Sequence, residues 1–261
     1  MPRTLRYILT ALLIAAIADC AVLIARDVIE KRHARTTYDD AASTYTEPIT
    51  AAESPTSDLS SPAALSSTDS VQPPITVDFE ALRTAAPDVV GWIWCEGTQI
   101  DYPIVQGADD AFYLTHDYLG RRSSSGSIMM SSLASPDFSD PNTVIYGHRM
   151  KDGSMFADLA DWFTPGFAGE HPCFWILTPD GAYRADIFAA YETYELSETY
   201  TRFLTRGDAF RRYLDAAASQ SVFETDAELD TTSSYIVLST CKHASGTTRL
   251  VIHAKLVPVG E

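Results

Sequence analysis

The sequence predicts a mainly β protein: a closed barrel of about eight strands, with an N-terminal helix and a helical insertion before the strand that ends in Cys241. Three observations predict it. Short runs rich in β-branched and aromatic residues recur along the second two thirds of the chain, separated by Gly, Pro, Asp and Asn. Few helical patterns lie between them. Of the 261 residues 46% are hydrophobic, enough to fill one core of ordinary domain size.

The N-terminal stretch YILTALLIAAIADCAVLIA, residues 7–25, is apolar except for Thr10, Asp19 and Cys20, and is about long enough to cross a bilayer as a helix. A cleaved signal peptide would have a shorter apolar core ending at a small-residue site. Here the run continues to Ala25, which favours an uncleaved anchor. A lipoprotein would need a small residue before Cys20, where Asp19 stands. A carboxylate at mid-bilayer costs about 2.5–3.5 kcal/mol, less near the helix end. Basic residues on both sides, Arg3 and Arg6 before and Arg26, Lys31, Arg32 and Arg35 after, leave the orientation to the extracytoplasmic character of the remainder. The expectation is therefore a short cytoplasmic segment (1–6), a single-pass span of the cell membrane (7–25), and an extracytoplasmic remainder. Residues 26–76, rich in Ser, Thr, Ala and Pro, read as a flexible spacer. A packed N-terminal subdomain is the alternative.

The folded domain is expected over 77–261. In DFEALRTAAP, Phe79, Leu82 and Ala86 have helical spacing that stops at Pro87. Strand-like runs follow at Val89–Trp94, Ile100–Val105, Ser127–Met130, Thr143–Tyr146, Phe174–Leu177, Tyr183–Tyr191, Tyr235–Ser239 and Leu250–Val257. The insertion is GDAFRRYLDAAASQ: Asp208 is a candidate cap, and Phe210, Tyr213, Leu214 and Ala217 fall on one helical face. SETYTRFLT before it adds a turn or two.

With 35 acidic against 19 basic residues the net charge is -16, which argues against nucleic acid as a partner. Four cysteines, Cys20, Cys95, Cys173 and Cys241, show no CxxC spacing, so neither a metal site nor a disulfide framework is signalled. Cys95 and Cys173 sit among apolar residues and read as buried. No cofactor is implied.

Chemistry is concentrated in two segments. TVIYGHRMKDGSMFADL ends a strand on Gly147-His148. SSYIVLSTCKHASGTTRLVIHAKLV runs from a strand through Cys241 and a loop to Arg249 at the start of the next strand. A thiol at a strand end is reachable, an imidazole from a neighbouring strand can take and return its proton, and an arginine can stabilise an oxyanion. Isolated, Cys241 would read as a buried thiol, His148 as a strand-end histidine and Arg249 as a surface ion-pair partner. His243, two residues after Cys241, is a weaker competitor for the acid/base role. His253 lies four residues beyond Arg249, about 13 Å along a strand, too far to join a compact site.

These segments resemble the signatures of sortases: a strand-end GH, and TLxTC followed about eight residues later by arginine, here LSTC and Arg249. IYGHRMKDGSMFADL, RLVIHAKLV and the upstream PDVVGWIWCEGTQIDYPIVQGADDAFYLTHDYLG resemble class B, over residues 79–257. The resemblance implies a sortase-type barrel and a membrane-anchored cysteine transpeptidase, of hydrolase type. Its substrates would be surface proteins with a C-terminal sorting signal, and its acceptor a cell-wall peptide amine. It implies Cys241 as nucleophile, His148 as acid/base and Arg249 as third catalytic residue. Ser239 and Thr240 would shape the groove, with Tyr200 and Phe203, on the helical excursion at 197–220, as wall residues. The alternatives are a pilin-polymerising sortase, a cysteine peptidase of another fold, in which the nucleophile precedes the histidine, and an anchored, non-catalytic binding domain.

Overall fold

The computed structural model describes residues 3–49, 72–242 and 246–260. A long helix α1 (Arg3–Tyr45) leads into a two-stranded sheet of β1 (Thr46–Pro48) and β2 (Ile75–Val77). Next come α2 (Phe79–Ala85), β3 (Val89–Trp94), β4 (Asp101–Val105), β5 (Ile128–Met130) and β6 (Asn142–Tyr146). The short α3 (Phe167–Glu170), β7 (Cys173–Thr178) and β8 (Gly181–Tyr194) precede the insertion helix α4 (Asp208–Ser219), and β9 (Ser234–Cys241) and β10 (Thr248–Val259) complete the order. Strands β3 to β10 close into a barrel in the order β10-β8-β7-β3-β4-β5-β6-β9, the predicted fold class. Two of its pairings are parallel, β4 with β5 and β6 with β9.

The run YIVLST in β9 is buried throughout, and the sequence says why: both of its faces are covered. Ile236 and Leu238 join the barrel core with Trp92, Ile104 and Ile145. Tyr235 and Val237 face outward into a second core roofed by Phe210, Leu214 and Ala217 of α4. Burying Phe210 and Leu214 stabilises this roof by about 1.5–3 kcal/mol each. Asp208 does not cap α4; it is the first helical residue, after Gly207. Asp78 does cap α2, its Oδ1 accepting from Ala81 N–H at 2.9 Å.

Two expectations are corrected. The single-pass span over 7–25, with the cell-membrane localisation drawn from it, is not supported: among the described residues no helix is long and apolar enough to cross a membrane. Asp19 divides the apolar run, and the same helix continues without a break through Arg26, Lys31, Arg32 and Arg35 to Tyr45. The spacer expected over 26–76 does not hold for its first part. There α1 packs on the barrel through Ala34, Tyr38 and Ala41, all buried. The Tyr38 hydroxyl donates to the Gly126 carbonyl, and its ring meets Tyr102 edge-on at 5.4 Å. Residues 50–71 of the expected spacer lie outside the described residues.

Candidate active site

The register of three strands builds the site. β6 runs parallel to β9 with Tyr146 opposite Ser239, and Gly147 N–H donates to the Ser239 carbonyl at 3.1 Å, extending the ladder one step. Counted on past the end of the ladder, the same offset sets His148 against Cys241, and both line one groove. β9 and β10 are antiparallel, with Cys241 directly opposite Arg249. Residues from three separate strand ends thus meet at one end of the barrel. They line a groove of about 290 Å³ together with Asp110, Tyr146, Glu195 and Tyr200.

Gly147 is required by space. A Cβ there would lie 2.6 Å from both Ile128 Cδ1 and Phe156 Cδ2. The backbone must pass close to the core at this point for His148 to emerge into the groove. His148 Nε2 lies 2.8 Å from the Leu114 carbonyl oxygen. A carbonyl only accepts, so Nε2 carries the proton and Nδ1 is the nitrogen left for proton exchange. The orienting group is a neutral backbone carbonyl, not a carboxylate.

Arg249 is held at both ends of its guanidinium. Nη1 donates to Gly246 O at 2.6 Å, and Nη2 lies 2.7 Å from Glu195 Oε2. Beside Cys241, Lys242 Nζ pairs with Glu192 at 2.6 Å.

Of the predicted wall residues, Tyr200 reaches the groove and Phe203 does not. The Tyr200 hydroxyl shares a 2.8 Å hydrogen bond with Ser239 Oγ, and its ring stacks on Tyr146. Burial raises the pKa of both phenols, that of Tyr146 to about 12, so they remain neutral hydroxyls. Phe203 instead packs between Phe210 and Tyr213, behind the wall. Ser239 and Thr240 are both buried, and Thr240 Oγ1 has no hydrogen-bond partner among the described residues. Two groove features went unread in the sequence. Leu114 acts through its backbone, which leaves no side-chain signature. Glu195 sits just past β8, where charge reads as solvated surface.

The remaining candidates fall away from the groove or outside the description. His253 is fully buried in the roofed core, and burial pushes its imidazole down to about 3. His243 lies outside the described residues. Cys95 and Cys173 are both free; burial pushes the Cys95 thiol up to about 12, making it an inert structural thiol. Among the described residues no cluster of His, Cys, Asp and Glu is arranged to hold a metal ion.

A thiol, an imidazole and a guanidinium at one end of a β-barrel, beside an open groove, can perform acyl transfer. The Sortase domain family matches residues 93–257. Sortase B of Listeria monocytogenes is 34% identical over 241 residues, covering 90% of this chain and 89% of that protein. Among solved structures, a Staphylococcus aureus sortase B-substrate complex superposes with a TM-score of 0.66 at 31% identity, over 70% of this chain and 85% of that one. Sortase B from Bacillus anthracis in complex with AAEK1 gives 0.70 at 30%, over 88% and 99%. The chain belongs to the sortase family of cysteine transpeptidases. Within that family its relatives are sortase B proteins, and its resemblance is to class B.

Proposed function

We propose that this chain cleaves a C-terminal sorting signal of surface proteins and transfers the new acyl end to a cell-wall amine, with Cys241, His148 and Arg249 as its catalytic residues. The observation that carries the reading is that His148, Cys241 and Arg249 line one groove, with Arg249 directly opposite Cys241 across β9 and β10. The thiolate of Cys241 attacks the scissile carbonyl, and Arg249 steadies the oxyanion. As the intermediate collapses, the C–N bond breaks and His148, protonated at Nδ1, gives that proton to the departing amine. The product is a thioester on Cys241. An incoming amine attacks it and loses a proton to Nδ1, and the thiolate departs, restoring the starting state. Water is the slower competing nucleophile. That S. aureus sortase B, 31% identical to this chain, was solved as a substrate complex supports a substrate-binding role for the fold.

The test is cleavage of a library of sorting-signal peptides by the full chain, with and without an amine acceptor, beside Cys241→Ala. Cleavage at one motif with the acceptor joined to the product, abolished in the variant, is the expected result. An inert wild type whose Cys241 also resists thiol reagents would sink it.

A further inference from the structure

Glu195 is placed by the same ladder that places Arg249. Thr248 of β10 pairs with Tyr194 of β8, and Arg249 with Thr193. One step past Tyr194, Glu195 N–H donates to the Thr247 carbonyl at 3.1 Å. This fixes the Glu195 backbone beside the start of β10. From there its carboxylate reaches Arg249 Nη2 at 2.7 Å, while Gly246 O accepts from Nη1 at 2.6 Å. Arg249 is the more enclosed partner, with 21% of its side chain exposed against 45% for Glu195. The glutamate grips the guanidinium from the rim, and the arginine faces the groove.

An ion pair this open adds little to stability. Its effect is on order. A free arginine side chain samples many rotamers. A guanidinium already confined needs no reorganisation when charge develops on the substrate, and preorganised donors are the ones that lower a barrier. A carboxylate on one terminal nitrogen and a carbonyl on the other fix the plane of the fork, which neither does alone.

We propose that Glu195 is the positioning residue for Arg249, holding its guanidinium in the plane from which it meets the oxyanion. This rests on the catalytic role given to Arg249 above. Glu195 acts through the arginine and does not touch the reacting atoms. Glu192 provides the contrast. It lies on β8 three residues before Glu195, is equally exposed at 45%, and pairs with Lys242 instead of Arg249.

The experiment is steady-state transpeptidation by the full chain carrying Glu195→Ala, Glu195→Gln, Glu192→Gln, Arg249→Lys or Glu195→Ala with Arg249→Lys. Cys241 alkylation by iodoacetamide is measured alongside. Misplacing a catalytic group slightly costs up to about 100-fold. The expected result is a fall in kcat of about 10- to 100-fold for Glu195→Ala with KM little changed, and substantial recovery in Glu195→Gln, whose amide oxygen still accepts from Nη2. Glu192→Gln keeps the wild-type rate, and alkylation is unchanged throughout. In the Arg249→Lys background Glu195→Ala costs nothing further, because the partner it positions has gone. Wild-type kcat in Glu195→Ala, an equal loss in the Arg249→Lys background, or a rise in KM alone would each overturn the proposal. Arg249→Ala separates the two readings: full activity there removes the arginine's role itself, whereas a crippled Arg249→Ala beside a normal Glu195→Ala removes only the glutamate's.

Discussion

Arg149, the residue after His148, donates from Nη1 to the backbone carbonyl of Lys242, the residue after Cys241, at 2.6 Å. Strand pairing has already lapsed at this point, since β6 ends at Tyr146 and β9 at Cys241. A side chain continues the alignment where the backbone ladder stops. Arg149→Ala is therefore expected to lower kcat about tenfold with KM and melting temperature almost unchanged, because an exposed hydrogen bond contributes little to stability. Kinetics beside thermal melts check this; an unchanged kcat would show that the ladder alone suffices.

The Tyr200–Ser239 hydrogen bond ties the helical excursion to the strand that carries Cys241. Tyr200→Phe leaves Ser239 Oγ buried without that partner, at a cost of about 1–3 kcal/mol. Adding Ser239→Ala removes the stranded hydroxyl as well. The double variant is expected to be no less stable than Tyr200→Phe alone. Urea melts of the three variants measure it, and strictly additive losses would contradict it.

His253 makes stability depend on pH. Its ring contacts Tyr191, Phe188 and Tyr213, and both of its nitrogens are buried without a hydrogen-bond partner among the described residues. Burial disfavours the charged form, pushing it down to about 3 from an ordinary value of 6.5. A folded pKa below the unfolded one means that stability is fully present above about pH 6.5 and is lost as pH falls from there toward 3. His253→Phe is expected to flatten this part of the melting-temperature profile between pH 4 and 7. An unaltered slope would assign the acid sensitivity to other groups.

Gly147→Ala is expected to destabilise the fold by about 1–3 kcal/mol, since its methyl would press into Ile128 and Phe156. The displaced loop carries His148, so activity should fall further than the melting temperature alone explains. Comparable retention of both would mean that the core relaxes around the methyl group.

The barrel was legible because its strands announce themselves locally: β-branched runs bounded by turn residues, each of the eight found within a few residues of its expected place. That His148, Cys241 and Arg249 would meet in one groove was legible because motif and strand end coincide. The packing of α1 was not. Ala34, Tyr38 and Ala41 do fall at helical spacing, yet their face is small and set among charged and polar residues, so composition suggested a spacer. The outlook of a side chain was equally hidden. Tyr200 and Phe203 are three residues apart in one short excursion, and only the placement of α4 turns Phe203 toward Phe210 and Tyr213 while Tyr200 turns to Ser239. Glu195 and the Leu114 carbonyl depend on tertiary neighbours that no local pattern encodes.

The parallel pairing of β6 with β9 divides the labour of the chain. Alignment of thiol with imidazole is written into a strand register, whereas the wall beside them is written into the excursion at 197–220, which lies outside that register and meets it through Tyr200 and Ser239. An exchanged excursion that kept the Tyr200–Ser239 bond and the Glu195–Arg249 pair would present a different face to an incoming peptide while Cys241, His148 and Arg249 kept their places. The architecture is thus modular: a strand register sets the three side chains, and a separable excursion sets the wall beside them.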